Sequence, residues 1–303
     1  MLAVVAHDAG GAELLSSYIR SQGMNCMYVL EGPARKIFER KLGPVKLYSL
    51  EEAILKSDAV LCGTGWQSEL EISAIQFAHS LGKRCIAFLD HWINYRERFV
   101  RAGKTSLPSE IWVGDGLAEM KAKEAFPNLP VHLVANPYFE DIRKELAVLK
   151  PAYISRTAEL SVLYVCEPIR EHSLREFGNA HHRGYIEEDA LRYFLSHISA
   201  LSIVLKCPIV KIVIRPHPAE PIGKYAWVCQ EFSLPIVESG SLSLVEDLVG
   251  CDVVVGCESM AMVVGLLAGK TVISCIPPGG RQCRLPQRKI LNLQMLVEHK
   301  GLI

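Results

Sequence analysis

The sequence lacks most of the short signatures that reveal function directly. None of its ten cysteines forms a CxxC pair, so the ligand spacing of structural zinc sites is missing. It has no GxGxxG turn, no P-loop and no GxSxG elbow. These absences argue in turn against a nicotinamide cofactor, a Walker-type phosphate loop and a serine-hydrolase nucleophile. It has no net charge, with 33 basic and 33 acidic residues. That implies no broad basic field for nucleic acid and leaves room for a local patch. The longest apolar stretch, 260–268 and its flanks, falls well short of the ~20 residues that span a bilayer. Repeats at solenoid periods and low-complexity tracts are missing too.

What is present is core material. Half of the 303 residues are hydrophobic, and the length favours two domains over one. Cys62, Cys85, Cys166, Cys251 and Cys275 lie within apolar runs, a usage that fits buried thiols in a reducing compartment. Met1 leads straight into LAVVAHD without a basic leader region. The expectation is a cytoplasmic protein; peripheral membrane contact and oligomeric state stay open.

Short apolar runs alternate with helical patterns along the whole chain. Strands are expected at 2–6, 24–30, 45–50, 58–62, 84–89, 110–113 and 131–134, with helices at 13–22, 51–56, 69–81 and 117–126. A charged helical segment, 138–157, joins this half to a second series. There, strands are expected at 160–166, 211–214, 234–237, 253–255 and 272–276. A loop is expected at 172–183, with helices at 185–205 and 289–300. Such alternation implies parallel α/β sheets. The predicted fold class is α/β: two Rossmann-like domains, 1–145 and 150–303, facing a central cleft. Ligands in such sheets bind beyond the carboxyl ends of the strands.

Polar clusters stand at those ends. Arg215-Pro216-His217-Pro218 holds a histidine rigidly between two prolines, beside a guanidinium suited to phosphate; the alternative is a turn that merely stops a strand. Gly256-Cys257-Glu258-Ser259 precedes a small-residue helix. Ser259 at the helix start can attract an anion or simply cap the helix, and Glu258 can accept ribose hydroxyls. In the first half, His7 or Asp8 can serve as general base, or Asp8 can be a helix cap, and Gly10 and Gly11 permit close backbone approach. Thr64, Trp66 and Gln67 can hold a sugar or acceptor ring, unless Trp66 only packs its loop. The segment 90–99 crowds Asp90, His91, Trp92, Arg96 and Arg98 together, as a substrate-facing segment or an interface loop, with either arginine available to an anion. The Gly279-Gly280-Arg281-Gln282 loop is a weaker phosphate signal, and His181-His182-Arg183 weaker still.

With these clusters in view, the chain resembles a GT-B-type glycosyltransferase. His217-Pro218 and Ser259 are similar to the His-Pro and Ser/Thr motifs of bacterial sialyltransferases and polysialyltransferases. The RPHP run is similar to that of glycerophosphotransferases that make teichoic acid. The motifs cover about sixty-five residues, and the fold-level similarity covers nearly all 303. The resemblance implies that His217 and Ser259 contact the phosphate of a cytidine nucleotide, with Asp8 nearest in position to the acceptor base. A departure is that Ser259 stands alone where the sialyltransferases carry two adjacent Ser/Thr residues.

The expected activity is metal-independent transfer of a sugar from a nucleotide-sugar donor, CMP- or UDP-linked, to a glycan or other hydroxyl acceptor. The nucleotide sugar is the substrate and no cofactor is expected. Arg215, His217, Glu258 and Ser259 would bind the donor. Asp8 or His7 would be catalytic, and Gly10, Gly11, Thr64, Trp66, Gln67, Asp90, His91 and Arg96 would face the acceptor. The alternatives are a nucleotide-sugar 2-epimerase or hydrolase, and a non-catalytic nucleotide- or glycan-binding partner subunit.

Overall fold

The computed structural model describes residues 1–65, 68–149, 159–240 and 242–298. The chain divides into two compact units, Met1–Asp141 and Ile142–Ile303. Among the described residues, no helix is long and apolar enough to cross a membrane.

Unit 1 contains strands β1 (Leu2–Ala6), β2 (Cys26–Leu30), β3 (Ala59–Cys62) and β4 (Arg84–Leu89). A small hairpin follows, β5 (Val100–Arg101) with β6 (Lys104–Thr105), and then β7 (Glu110–Val113) and β8 (Val131–Leu133). The six-stranded sheet is parallel, in the order β2-β1-β3-β4-β7-β8. The strand expected at 45–50 is reduced to a single parallel bridge, Tyr28 to Leu47. Ser49 ends it: its side chain accepts from the Glu52 N–H at 3.1 Å and starts the helix Leu50–Lys56. With that bridge counted as a strand, unit 1 has the dinucleotide-fold order, outermost third strand first and then second, first, fourth and onward.

Unit 2 has the same order in full. Its strands are β9 (Leu160–Val165), β10 (Ile209–Arg215), β11 (Ile236–Glu238), β12 (Val253–Gly256), β13 (Thr271–Ser274) and β14 (Ile290–Asn292), arranged β11-β10-β9-β12-β13-β14. Every residue of β12 is buried, as expected of a central parallel strand covered on both faces. The expected α/β architecture of two Rossmann-like domains is therefore present.

Three local expectations are corrected. The segment 172–183 is not all loop, because a helix runs Ile169–Phe177. Ile169 and Ser173, four apart, are its buried residues, and Gly178 closes it at φ 67°. The helix expected at 185–205 breaks at His197 into Glu187–Ser196 and Ile198–Val204. The His197 ring donates from Nδ1 to the Tyr193 carbonyl at 2.7 Å, and its N–H turns to Phe194 instead. The helix expected at 289–300 gives its first residues to β14 and begins at Leu293, with Asn292 accepting from the Met295 N–H. The expected helix end at 299–300 and the linker portion 150–157 lie outside the described residues.

Seven of the ten cysteines are buried and only Cys229 is exposed; none is in a disulfide.

Candidate functional site

In each sheet the connections reverse direction beside the first strand, and that reversal opens a crevice at the strands' carboxyl ends. In unit 1 the crevice lies between the ends of β1 and β3. His7 and Asp8 follow β1, and Gly63-Thr64-Gly65 follows β3. His7 Nδ1 lies 2.8 Å from Asp8 Oδ1. An ionised carboxylate can only accept, so the shared hydrogen sits on Nδ1, and the tautomer this bond selects carries its lone pair on Nε2. Asp8 occupies the helix N-cap position of Ala9–Gln22 without a side-chain capping bond. The capping alternative therefore does not describe it.

Glu71, a residue the sequence did not single out, completes this crevice. It is 2% exposed, and it accepts the His7 backbone N–H at 2.8 Å. A methyl group placed on Gly65 would lie 2.7 Å from Asp8 Oδ2 and 2.9 Å from Glu71 Oε1. The two carboxyls thus converge on one point that only a glycine leaves open. Burial, and then the Asp8 charge, push the Glu71 carboxyl up to about 7. Its only sequence signal is a glutamate in the first turn of a helix, where most glutamates are solvated.

The folded-state value lies above the ordinary 4.5. Glu71 therefore keeps a proton over a range where the unfolded chain has lost it. Its contribution to stability is full below about 4.5 and is lost as pH rises through about 7. We expect Glu71→Gln to remove that loss. Urea midpoints of variant and wild type should diverge from pH 5 to pH 8, with the variant higher at pH 8. A constant difference would mean that Glu71 does not titrate in this window.

Asp90, at the end of β4, is held by Arg98 Nη1 at 2.8 Å, and the same nitrogen reaches Thr64 Oγ1 at 2.8 Å. Gly10 packs against the Asp90 carboxylate and Gly11 against Gly63. His7, Asp8, Gly10, Gly11, Thr64 and Asp90 are thus brought together, and Arg98 holds the Thr64–Asp90 side. Arg96 is not part of this group: it is exposed, donates to the Ala125 carbonyl, and lines a separate cavity of about 370 Å³ with Trp92, Tyr95 and Lys121. His91 stands edge-on to Trp92. Trp66 and Gln67 lie outside the described residues.

In unit 2 the crevice lies between the ends of β9 and β12. Glu167, just after β9, accepts the N–H groups of Cys257 and Glu258 at 3.1 and 2.7 Å. Burial, and then the Glu258 charge, push its carboxyl up to about 7. Glu258 is 5% exposed and meets three arginines, Arg183, Arg281 and Arg284, at 3.5, 3.0 and 3.1 Å. Burial raises its carboxyl, but the arginines outweigh burial and hold it below the ordinary value. Of the three, Arg183 came from a run with almost no sequence signal, and Arg284 had none.

Ser259 is the N-cap of the helix Met260–Leu267, and its hydroxyl accepts from Ala261 N at 3.2 Å. His217 is set by its turn: its N–H donates to Glu220 Oε2 at 2.8 Å, and its Nδ1 accepts from Ala219 N at 3.2 Å. That bond leaves the ring hydrogen on Nε2. Burial lowers the His217 pKa, favouring the neutral ring. Arg215 is turned onto Asp247 at 2.5 Å and the Leu242 carbonyl at 2.9 Å.

The sequence matches no family model and no curated protein. Among solved structures, the chain is similar to the UDP-GlcNAc 2-epimerase from Methanocaldococcus jannaschii (TM-score 0.61, 11% identity, covering 98% of this chain and 91% of that one). It is also similar to an alpha/beta-galactoside alpha-2,3-sialyltransferase from Photobacterium phosphoreum (TM-score 0.51, 8% identity, 97% and 98% covered). A third likeness is to the glycotransferase of kitacinnamycin (TM-score 0.51, 13% identity, 93% and 81% covered). At these identities the likeness is one of fold: the chain has the two-domain, Rossmann-like α/β architecture of the GT-B type.

Proposed function

We propose that the chain is a glycosyltransferase that moves a sugar from a nucleotide-activated donor to a hydroxyl of a glycan or similar acceptor in surface polysaccharide or glycoconjugate biosynthesis. The observation that carries this reading is the His7–Asp8 pair at the reversal point of unit 1. Asp8 fixes the imidazole so that Nε2 can take the acceptor proton. As the acceptor oxygen bonds to the anomeric carbon, the bond from that carbon to the donor phosphate breaks, and the proton passes to His7. Thr64 and Asp90, braced by Arg98, orient the acceptor. In unit 2, His217 Nε2–H and the helix start at Ser259 favour the departing phosphate. Arg215, two residues before His217 and anchored on Asp247, adds positive charge to the same strand end, and Glu258 sits beside the donor.

The test is a thermal-shift panel of CMP, CDP, UDP, GDP and dTDP on wild type and His217→Ala, followed by mass-spectrometric detection of transfer from the matching nucleotide sugar. A ligand of the native state present at 100 times its Kd adds about 2.7 kcal/mol of stability. The expected result is a shift with one nucleotide, lost in His217→Ala, and a glycosylated acceptor. A panel without any shift would sink the donor assignment.

One observation favours a second reading, a nucleotide-sugar 2-epimerase or hydrolase. Asp8 and a Glu71 carboxyl that titrates near 7 converge on one point, a pairing suited to removing and returning a proton. Incubation with nucleotide sugar in D₂O without acceptor separates the two. Deuterium in recovered donor, or free sugar, supports the second reading, and intact unlabelled donor supports transfer.

A further inference from the structure

We infer that Arg183, Arg281 and Arg284 form a binding site for phosphate oxygens, held in place by Glu258 as an internal stand-in for the ligand. The nucleotide-donor reading above supplies only the identity of that ligand; the site itself stands on the geometry of unit 2.

The three guanidiniums share one carboxylate. Glu258 Oε1 takes Arg183 Nη1 at 3.5 Å, Arg281 Nη2 at 3.0 Å and Arg284 Nη2 at 3.1 Å, while Oε2 takes the Arg284 backbone N–H at 3.2 Å. A carboxylate has about four acceptor positions, and three guanidiniums bring about fifteen N–H donors. The mismatch is sharpest at Arg183. It is only 7% exposed, its contacts to Glu258 and Glu176 are both 3.5 Å long, and among the described residues its Nε has no hydrogen-bond partner. Arg281 Nε is likewise buried without a partner. A desolvated guanidinium with only long contacts is costly, and a second anion would relieve that cost.

The arginines are also built into place. The Arg281 N–H donates to the Arg183 carbonyl at 2.9 Å. Next to it Gly184 has φ 83°, and a Cβ there would lie 2.5 Å from the Gly279 carbonyl oxygen. Only glycine allows the two loops to close on each other in this way. The clasp brings two arginines, about a hundred residues apart in sequence, to the carboxyl end of β12, where the sheet order reverses.

A phosphoryl group fits better than a second carboxylate. Guanidiniums approaching from several directions need an anion with three or more oxygens, and the planar arginine fork matches phosphate. Glu258 then competes with the ligand for the same donors.

The site is tested by calorimetric titration with inorganic phosphate, pyrophosphate, sulfate, and nucleoside mono- and diphosphates. We expect wild type to bind phosphate or pyrophosphate and Arg281→Gln to weaken that binding about tenfold or more. Arg281 is partly exposed, so this variant should keep its fold, and circular dichroism checks that it does. Glu258→Gln, which removes the competing charge, should tighten binding. No anion binding by wild type at millimolar concentration, wild-type affinity in folded Arg281→Gln, or weaker binding in Glu258→Gln would each overturn the inference. The nucleotide series tells an isolated phosphate from a nucleotide's. Pyrophosphate binding without consumption of any nucleotide sugar would leave the site standing and remove the donor reading. Sugar transfer with an unchanged donor KM in Arg281→Gln would do the reverse.

Discussion

His7→Ala is expected to lower the rate of sugar transfer by roughly 10²–10⁴-fold while nucleotide binding stays at its wild-type strength. The expectation follows from the division of labour within the pair. Asp8 accepts from His7 Nδ1, so Nε2 is the basic atom, and removing the ring removes the proton acceptor without touching unit 2. Asp8→Asn should do nearly as much damage by a different route. An asparagine can present its NH₂ group to Nδ1, which would then become the acceptor and leave the hydrogen on Nε2, the wrong tautomer for a base. Gly65→Ala should resemble both, because its methyl would wedge between Asp8 and Glu71. Single-turnover rates across pH for all three variants, with nucleotide affinity measured in parallel, check the scheme. Transfer at the wild-type rate in His7→Ala would remove His7 from the chemistry, and loss of nucleotide binding in that variant would mean the change had not stayed local.

Glu220→Ala should destabilise unit 2 by about 3–5 kcal/mol, the usual cost of breaking a buried ion pair from one side. The Glu220 side chain is fully buried. It accepts from Lys224 at 3.0 Å, from the Tyr225 hydroxyl at 2.7 Å and from the His217 N–H at 2.8 Å. Truncation strands a hydroxyl, a backbone N–H and part of an ammonium charge; Lys224 keeps its bond to Glu187. For a unit of this size the melting temperature should fall by roughly 10 °C. Scanning calorimetry checks it: a shift of a degree or two would show that Glu187 alone satisfies Lys224. Because the His217 turn hangs on the same carboxylate, nucleotide binding should weaken as well.

The alternation of short apolar runs made the two parallel sheets legible, since buried strands with helices on both faces read as continuous hydrophobic segments. The same rule located the crevices, because ligand-facing residues follow strand ends in sequence. His7, Asp8, Thr64, Asp90 and Glu258 were visible for that reason. Glu71 and Arg284 were not, and Arg183 showed only within a weak His-rich run, because each lies away from a strand end and is recruited by tertiary packing. A buried glutamate in a helix's first turn looks like a solvated one, and an arginine in a His-rich run looks like surface. Arg96 and Arg98 show the opposite limit. Two residues apart in a dense polar segment, they part company only through the course of the loop, one braced on Asp90 and the other exposed. The broken helix at His197 was equally hidden, because a ring bonding back to a carbonyl four residues earlier leaves no trace in hydrophobic period.

The burial of the cysteines gives the molecule a built-in reporter of its own opening. A thiol reagent in native buffer should modify Cys229 first, since it alone is exposed. Cys26, Cys62 and Cys85 become reactive only when unit 1 opens, and Cys166, Cys251, Cys257 and Cys275 only when unit 2 does. Labelling followed by peptide mass spectrometry would therefore time the two units separately within one intact chain, with no dye or tag added.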